Sequence, residues 1–300
     1  MGPPMLEIRD LVKVYPGGIP ALQGVSLHIP RGMFGLLGPN GSGKTTLMRI
    51  LAGLLEPTAG TILKDGVDLT RHPELIWPRL GYLPQDFGFY QDLSGAAMLT
   101  HLLALKGVDA PGGRAALCAA LLDRINLGAA ADRKVREYSG GMRQRLGIAQ
   151  AIAGDPDLVI VDEPTAGLDP EERNRFYRLL AELARDRTVL LSTHIVEDVA
   201  MLCPRFAVIR HGRLVAQTTP EAARAALAGR IFEGVVDNEG LERLALEGVL
   251  TQARLVEGRN LARIHAPGGV GRAGFSPSGP TLEDAYFVMI RSSQTERSAA

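Results

Sequence analysis

The stretch Gly38-Pro39-Asn40-Gly41-Ser42-Gly43-Lys44-Thr45 decides the fold of this chain. A short apolar run, Met33 to Leu37, precedes it and is typical of a fully buried strand, while the apolar spacing from Thr45 to Leu54 predicts a helix. Glycines allow consecutive backbone N–H groups to curl around phosphate oxygens, and the positive end of the new helix faces the same anion. Strand, loop and helix together therefore predict a phosphate-binding loop.

Two side chains of this stretch extend the prediction from a phosphate to a magnesium–nucleotide complex. In a loop of this pattern the lysine reaches the β- and γ-phosphates, and the hydroxyl of the next residue binds Mg²⁺. Lys44 and Thr45 occupy these two positions. The predicted cofactors are a nucleotide and Mg²⁺, and the predicted nucleotide-binding residues of the loop are Gly38, Pro39, Asn40, Gly41, Ser42, Gly43, Lys44, Thr45 and Thr46.

A second apolar run, Leu158 to Val161, ends in two carboxylates, Asp162 and Glu163. Ligands of open α/β sheets bind at the carboxyl ends of the strands, so both acids are expected beside the loop. Acids end many strands, and the pair alone is a weak signal. Combined with the loop, it predicts that Asp162 binds Mg²⁺ and that Glu163 orients and deprotonates the attacking water.

A third motif, Tyr138-Ser139-Gly140-Gly141-Met142-Arg143-Gln144-Arg145, resembles the signature sequence of ATP-binding cassette (ABC) ATPases, usually Leu-Ser-Gly-Gly-Gln. Tyr138 and Met142 depart from that pattern. The hydroxyl and backbone N–H groups that would contact a γ-phosphate come from Ser139, Gly140 and Gly141, which are present. The earlier Leu93-Ser94-Gly95 lacks the second glycine and the basic helix, so it is not expected to play this part.

The resemblance extends over about residues 4–218, because further family motifs occur in the expected order. Gln85 resembles the Q-loop glutamine, Asp169 lies in a sequence similar to the D-loop, His194 resembles the switch histidine that contacts the γ-phosphate, and Tyr15 matches the aromatic that stacks on adenine. Each alone could be an ordinary structural residue. The resemblance implies catalytic roles for Glu163, His194 and Gln85, magnesium ligands at Thr45, Gln85 and Asp162, and additional nucleotide contacts from Tyr15, Ser139, Gly140, Gly141 and Asp169.

Strands that alternate with helices predict an α/β fold with a largely parallel sheet. The resemblance specifies a P-loop NTPase: a RecA-like core with an antiparallel β subdomain (residues 1–85 and 155–218) and an inserted helical subdomain (86–154) that carries the signature. Together these form a nucleotide-binding domain of residues 1–218. Residues 219–300 are predicted to form a small α+β accessory region, with a last helix over 281–290 that Thr281 caps.

In this family the signature of one subunit completes the phosphate-loop site of another, with two ATP molecules between them. The chain has one copy of each motif, so the resemblance implies a second ATPase subunit, in a homodimer or a heterodimer. Leu282-Glu283-Asp284-Ala285-Tyr286 is similar to the end of bacterial export-type, multidrug-like ATPases. The implied function is ATP hydrolysis that powers a membrane transporter, an exporter, through ATP-dependent dimerisation beside a membrane permease.

Composition and charge limit the partners and the cellular location that this chain is expected to have. The 300 residues carry 33 basic and 33 acidic side chains, which argues against a nucleic-acid partner. No cationic leader with an apolar segment and no run of 18 apolar residues is found, so neither a secretory signal nor a membrane span is predicted. The two distant cysteines fit a reducing compartment. The expected location is cytoplasmic, peripheral on the cytoplasmic face of the cell membrane.

Two alternatives come from other functional classes. A soluble cassette ATPase of translation or DNA repair generally has two cassettes or long coiled-coil insertions, and neither is visible here. A regulator that binds ATP without hydrolysing it usually lacks a catalytic residue. In this chain Lys44, Asp162, Glu163 and His194 are all present.

Overall fold

The computed structural model describes residues 6–165 and 167–298. An antiparallel sheet forms first, in the order β2-β1-β4-β5. Its strands are β1 (Leu6–Tyr15), β2 (Ile19–Ile29), β4 (Ala59–Lys64) and β5 (Val67–Asp68). Between β2 and β4 the chain forms β3 (Gly32–Leu37) and helix α1 (Lys44–Leu51), which enclose the glycine-rich loop. The predicted strand, loop and helix are therefore confirmed, and α1 ends earlier than predicted, before Gly53, whose φ is +68°.

The central sheet has the order β10-β9-β3-β8-β7-β6. Its other members are β6 (Leu80–Leu83), β7 (Leu158–Asp162), β8 (Thr188–Thr193), β9 (Arg205–Arg210) and β10 (Arg213–Thr218). Strands β3, β6, β7, β8 and β9 run parallel, and β10 closes one edge antiparallel to β9. Leu37 pairs with Thr193 and Asp162 with Ser192, so β3, β7 and β8 end together at one edge.

Apolar side chains alternate between the two faces of this sheet, because successive strand residues point in opposite directions. Ile160 and Leu190 join one buried cluster with Phe34, whereas Val161 and Leu191 join the cluster on the other face. Every residue of β7 and β8 is buried. The apolar runs seen in the sequence thus correspond to strands covered on both faces, as parallel sheets require.

A helical segment follows β6 and contains α2 (Gly95–Leu105), α3 (Gly113–Arg124) and α4 (Gly140–Ile152). Ser139 caps α4 by accepting the N–H of Met142 at 3.1 Å. Ser94 caps α2 in the same manner, accepting from Ala97 at 3.2 Å, which accounts for the Leu93-Ser94-Gly95 sequence as a helix start. Helices α5 (Pro170–Leu183) and α6 (Val196–Leu202) connect the strands of the central sheet.

The C-terminal region forms a third sheet, antiparallel, in the order β12-β13-β11-β14. Its elements are α7 (Pro220–Ala225), β11 (Ile231–Val236), α8 (Asn238–Leu246), β12 (Leu250–Val256), β13 (Arg259–His265), β14 (Ser276–Pro277) and α9 (Leu282–Ser298). The predicted α+β region is confirmed. Two details differ from the prediction: α9 continues past residue 290, and the segment 266–280, rich in Gly, Ser and Pro, contributes β14, which pairs with β11.

Helix α9 attaches this region to the rest of the chain. Leu282, Ala285 and Tyr286 join the same apolar cluster as Val199 of α6 and Phe206 of β9. Asp284 accepts the backbone N–H and the hydroxyl of Thr281 and returns its own N–H to that hydroxyl, so the predicted cap is present. In the described part of the chain, no helix combines the length and the apolarity that a bilayer crossing needs.

Candidate active site

The glycine-rich loop approaches other backbone segments so closely that two of its positions exclude a side chain. A Cβ at Gly38 would lie 2.3 Å from the carbonyl oxygen of Ile209. Gly43 has a φ of +105°, and a Cβ there would lie 2.6 Å from the carbonyl oxygen of Ala21. Gly43 also precedes α1, whose first turn has no side-chain cap. The N–H groups at this end of α1 are therefore available to an anion.

Lys44 lies across this loop, with only 4% of its side chain exposed. Its Nζ donates to the carbonyl oxygens of Gly38 and Pro39 at 2.8 and 3.2 Å. The same Nζ is 3.1 Å from Oε1 of Glu163. A buried ammonium thus faces both the loop and the carboxylate that follows β7.

Glu163 connects two predicted catalytic groups. While Oε1 contacts Lys44, Oε2 lies 3.0 Å from Nδ1 of His194, which directly follows β8. The backbone of Glu163 is in the left-handed region, with a φ of +48°, and its N–H donates to the carbonyl oxygen of Ser192. Non-glycine residues seldom adopt this conformation, and such residues cluster at functional sites. The strand ends therefore bring Lys44, Glu163 and His194 into one contact chain.

Asp162 meets the requirements of a magnesium ligand. It is fully buried, and neither carboxylate oxygen has a well-formed hydrogen bond to a residue that the structure describes. Burial raises the pKa of Asp162, although the hydroxyls of Ser192 and Thr45 lie close enough to offset part of this rise. The hydroxyl oxygen of Ser192, which pairs with Asp162 across β7 and β8, is also buried and has no well-formed hydrogen bond in the described chain. Unpaired buried oxygens are costly, and hard carboxylate and hydroxyl oxygens are the donors that Mg²⁺ prefers, so these residues fit that ion.

A cavity of about 330 Å³ lies over the loop, and Gln85 and Glu163 complete its rim. The loop residues that line it are Asn40, Gly41, Gly43, Lys44, Thr45 and Thr46. The hydroxyl of Tyr15 is 3.3 Å from that of Thr46, which places the predicted adenine-stacking residue beside the loop. The residues predicted to hold nucleotide and metal on the core therefore converge on one place.

The described signature residues do not line the cavity over the loop. Gly140 lines a second cavity, of about 450 Å³, with Gln85, Phe87, Arg143 and Leu168. Gln85 borders both cavities, because it lies where β6 leads into the helical segment. The side chain of Ser139 caps α4, and that of Asp169 caps α5 by accepting the N–H of Glu172 at 2.8 Å. Among the described residues, Ser139, Gly140, Gly141 and Asp169 do not line the loop cavity, which adjoins the second cavity at Gln85.

Sequence reasoning missed two groups that support these motifs. Arg145 of α4 is buried and donates to Oε1 of Glu172 at 3.3 Å, which joins the signature helix to the D-loop helix. Asp198 of α6 is fully buried and accepts hydrogen bonds from Thr165 and Thr193. A charged residue in the first turn of a short helix is normally solvated, so the sequence offers no signal for the second group.

Comparison with known proteins agrees with this geometry. Residues 22–166 match a family model described as ABC transporter. The chain is 40% identical over 229 residues to the daunorubicin/doxorubicin resistance ATP-binding protein DrrA of Streptomyces peucetius. The aligned region covers 76% of this chain and 69% of DrrA. The chain is also 40% identical over 250 residues to the Nod factor export ATP-binding protein I of Paraburkholderia xenovorans, covering 83% and 80% of the two chains.

A third relative and a solved structure extend the agreement. The probable multidrug ABC transporter ATP-binding protein YbhF of Escherichia coli is 32% identical over 314 residues, covering 99% of this chain and 54% of YbhF. The dimeric post-hydrolysis structure of the ATP-binding cassette MJ0796, bound to ADP and Pi, superposes with a TM-score of 0.64 at 27% identity, over 72% of this chain and 98% of that one. The chain accordingly belongs to the ATP-binding proteins of ABC transporters, and it is an ATPase of the P-loop fold.

Proposed function

We propose that this chain is the ATP-hydrolysing subunit of a membrane exporter and that it acts as an ATP-dependent dimer beside a membrane permease. The observation that carries the catalytic part is the contact chain Lys44–Glu163–His194, which lies next to the unpaired carboxylate of Asp162. The transport part is supported by the relatives, whose names describe drug resistance and Nod factor export. The proposed location is the cytoplasmic face of the cell membrane.

In the proposed reaction Lys44 and the N–H groups at the start of α1 bind the β- and γ-phosphates, and Tyr15 stacks on adenine. Glu163 accepts a proton from the attacking water through Oε1, while His194 holds the carboxylate in place through Oε2 and contacts the γ-phosphate. Asp162, Thr45 and Gln85 would hold Mg²⁺, which would neutralise charge on the phosphates.

The second proposed element is a shared site. Ser139, Gly140, Gly141 and Asp169 lie away from the loop cavity, so the γ-phosphate contacts proposed for them require another copy or a homologue. The dimeric structure of MJ0796 supports such an arrangement. We assign the nucleotide core to residues 1–85 and 155–218, the signature-bearing subdomain to 86–154 and the accessory region to 219–300.

The decisive experiment uses Glu163→Gln, which keeps the shape of the side chain and removes its basicity. We expect this variant to bind ATP and form a dimer in ATP and Mg²⁺, seen by light scattering, while phosphate release falls by about 10²-fold or more. The double variant with Lys44→Ala is the control and should remain monomeric. Normal turnover by Glu163→Gln would exclude the assignment of the base.

The permease is tested separately. The tagged chain, expressed in its own host, should copurify from detergent-extracted membranes with a protein of about six spans, each of roughly 20 apolar residues. Recovery with a soluble partner alone would contradict the transport assignment and leave the ATPase assignment unaffected.

A further inference from the structure

Asp198 of α6 is fully buried, and its carboxylate accepts hydrogen bonds from three hydroxyl groups. Thr165 and Thr193 donate to Oδ2 at 2.7 and 2.8 Å, and Tyr177 donates to Oδ1 at 2.5 Å. All three bonds are buried. A buried carboxylate is costly unless its oxygens are satisfied, and a fully satisfied network is correspondingly rigid.

The three donors come from the segments that carry the catalytic motifs. Thr165 lies two residues after Glu163, Thr193 directly precedes His194, and Tyr177 lies on α5, the helix that Asp169 caps. Asp198 and its three donors are not among the described residues that line the loop cavity. The network meets the loop through the backbone of Thr193, whose carbonyl oxygen accepts the N–H of Gly38 at 3.3 Å. Asp198 itself therefore connects the strand ends that carry the base and the histidine without contacting the nucleotide-binding residues.

These strand ends need such support. The backbone of Glu163 is held in the left-handed conformation, which persists only where the surroundings over-determine it. The His194 side chain is 40% exposed, so packing does little to fix it. The hydroxyl of Thr193 also accepts a hydrogen bond from the backbone N–H of Ile195 at 2.9 Å, which holds the backbone directly after His194.

We propose that Asp198 is a positioning residue for the ATPase reaction: through Thr165 and Thr193 it fixes the backbone on which Glu163 and His194 stand, and so sets the 3.0 Å contact between them. This role rests on the proposed function, in which Glu163 is the base. Loss of the network misplaces the two side chains relative to the attacking water and leaves phosphate binding by Lys44 and the loop intact.

The test measures kcat and KM for ATP in Thr165→Val and Thr193→Val, since Asp198→Asn risks unfolding the chain. Each loses a hydroxyl bond to Asp198 at constant side-chain size. We expect kcat to fall by about tenfold or more while KM changes by less than about twofold, and Thr193→Ser to restore kcat because it keeps the donor.

Thr251→Val is the matched control. Thr251 is also a buried threonine that donates to a buried aspartate, Asp284, at 2.5 Å, in the C-terminal region. It should lower the melting temperature to a similar extent and leave kcat unchanged. An equal loss of kcat in Thr251→Val, or unchanged kcat in Thr165→Val and Thr193→Val, would overturn the positioning role.

Combining the substitutions separates this inference from the function on which it rests. In the Glu163→Gln background, Thr193→Val should lower turnover much less than it does in the wild type, because the base whose contact with His194 it positions is already lost. If Glu163→Gln is inactive while the two threonine variants keep full kcat, the positioning role alone is wrong. If Glu163→Gln turns over normally, the assignment of the base is wrong, and the positioning role falls with it.

Discussion

The ammonium of Lys44 lies 3.1 Å from a carboxylate oxygen of Glu163, and both side chains are more than nine-tenths buried. The cation proposed to bind the γ-phosphate is thus also the partner of the proposed base. A phosphate oxygen that binds Lys44 competes with Oε1 of Glu163 for the same donor, while Oε2 keeps its contact with His194. Phosphate binding and the freeing of the base are therefore coupled through one side chain.

The first prediction concerns that side chain. Lys44→Ala should abolish tight ATP binding, because it removes the buried cation and leaves Glu163 facing the phosphates without a counter-charge. Titration with ATP in a calorimeter measures this. The matched control is Lys64→Ala, which removes another largely buried lysine, 3.0 Å from Asp157, outside the site. Equal ATP affinity in the Lys44 variant and the control would contradict the loop assignment.

The second prediction concerns His194. Because its side chain is 40% exposed, His194→Ala should change the free energy of unfolding by less than about 0.5 kcal/mol. Turnover should fall by about 10²-fold or more, since the carboxylate of Glu163 loses its fixed partner. His72→Ala is the control: His72 also contacts a carboxylate, Glu74, at 3.3 Å, but both of these side chains are exposed and lie outside the site. If both variants hydrolyse ATP equally fast, the histidine has no part in the reaction.

The two glycines of the signature give a third prediction, because their surroundings differ. A Cβ at Gly141 would lie 2.4 Å from Oε2 of Glu172, a side chain that Arg145 holds through its other oxygen, Oε1, whereas a Cβ at Gly140 meets nothing within 4 Å. Gly141→Ala should therefore lower stability by about 1–3 kcal/mol.

Gly140→Ala is the control for that prediction. It should be neutral or slightly stabilising, because alanine favours a helix more than glycine does. Urea unfolding of both variants gives the comparison. Equal stability of the two variants would contradict the close approach of α4 and α5.

Much of this fold could be predicted from the sequence, because its strongest elements carry local signals. The apolar run before Asp162 became β7, buried throughout, and the loop before Lys44 connects a strand to a helix. Strand β10 was not predicted, since it lies at a sheet edge, only partly buried, and shows no alternation of apolar and polar residues.

The residues of the candidate site also differ in whether a local sequence signal could reveal them. Lys44, Glu163 and His194 could be picked from motifs, and the structure brings them into contact. Asp198 could not, because its donors lie 33, 21 and 5 residues away in the chain and only the folded sheet brings them together. The functional roles assigned to the motif residues stay predictions that the experiments above address.

The last prediction concerns acid stability of the C-terminal region. Asp284 is fully buried and accepts from Arg263 at 2.8 Å and from Thr251 at 2.5 Å. Burial alone would raise its pKa, but the hydrogen bonds from Arg263, Thr251 and Thr281 outweigh burial and lower the pKa of Asp284 below its usual value. Folding therefore favours the carboxylate. The resulting stability is present above the unfolded-state pKa of about 3.9 and is lost as the pH falls through the lower pKa of the folded chain.

Asp284→Asn measures this contribution. At pH 7 it should destabilise the chain by about 1–3 kcal/mol, because Arg263 loses one buried carboxylate partner and keeps the other, Glu233, at 2.8 Å. Glu283→Gln, which alters an exposed pair with Arg254 at 3.6 Å, is the control and should cost less than about 1 kcal/mol. Urea unfolding from pH 7 down to pH 2 should show the gap between wild type and Asp284→Asn narrowing only below about pH 4, where Asp284 takes up a proton in the unfolded chain before it does so in the folded chain. A gap that stays constant over this range would mean that the charge of Asp284 does not stabilise the fold.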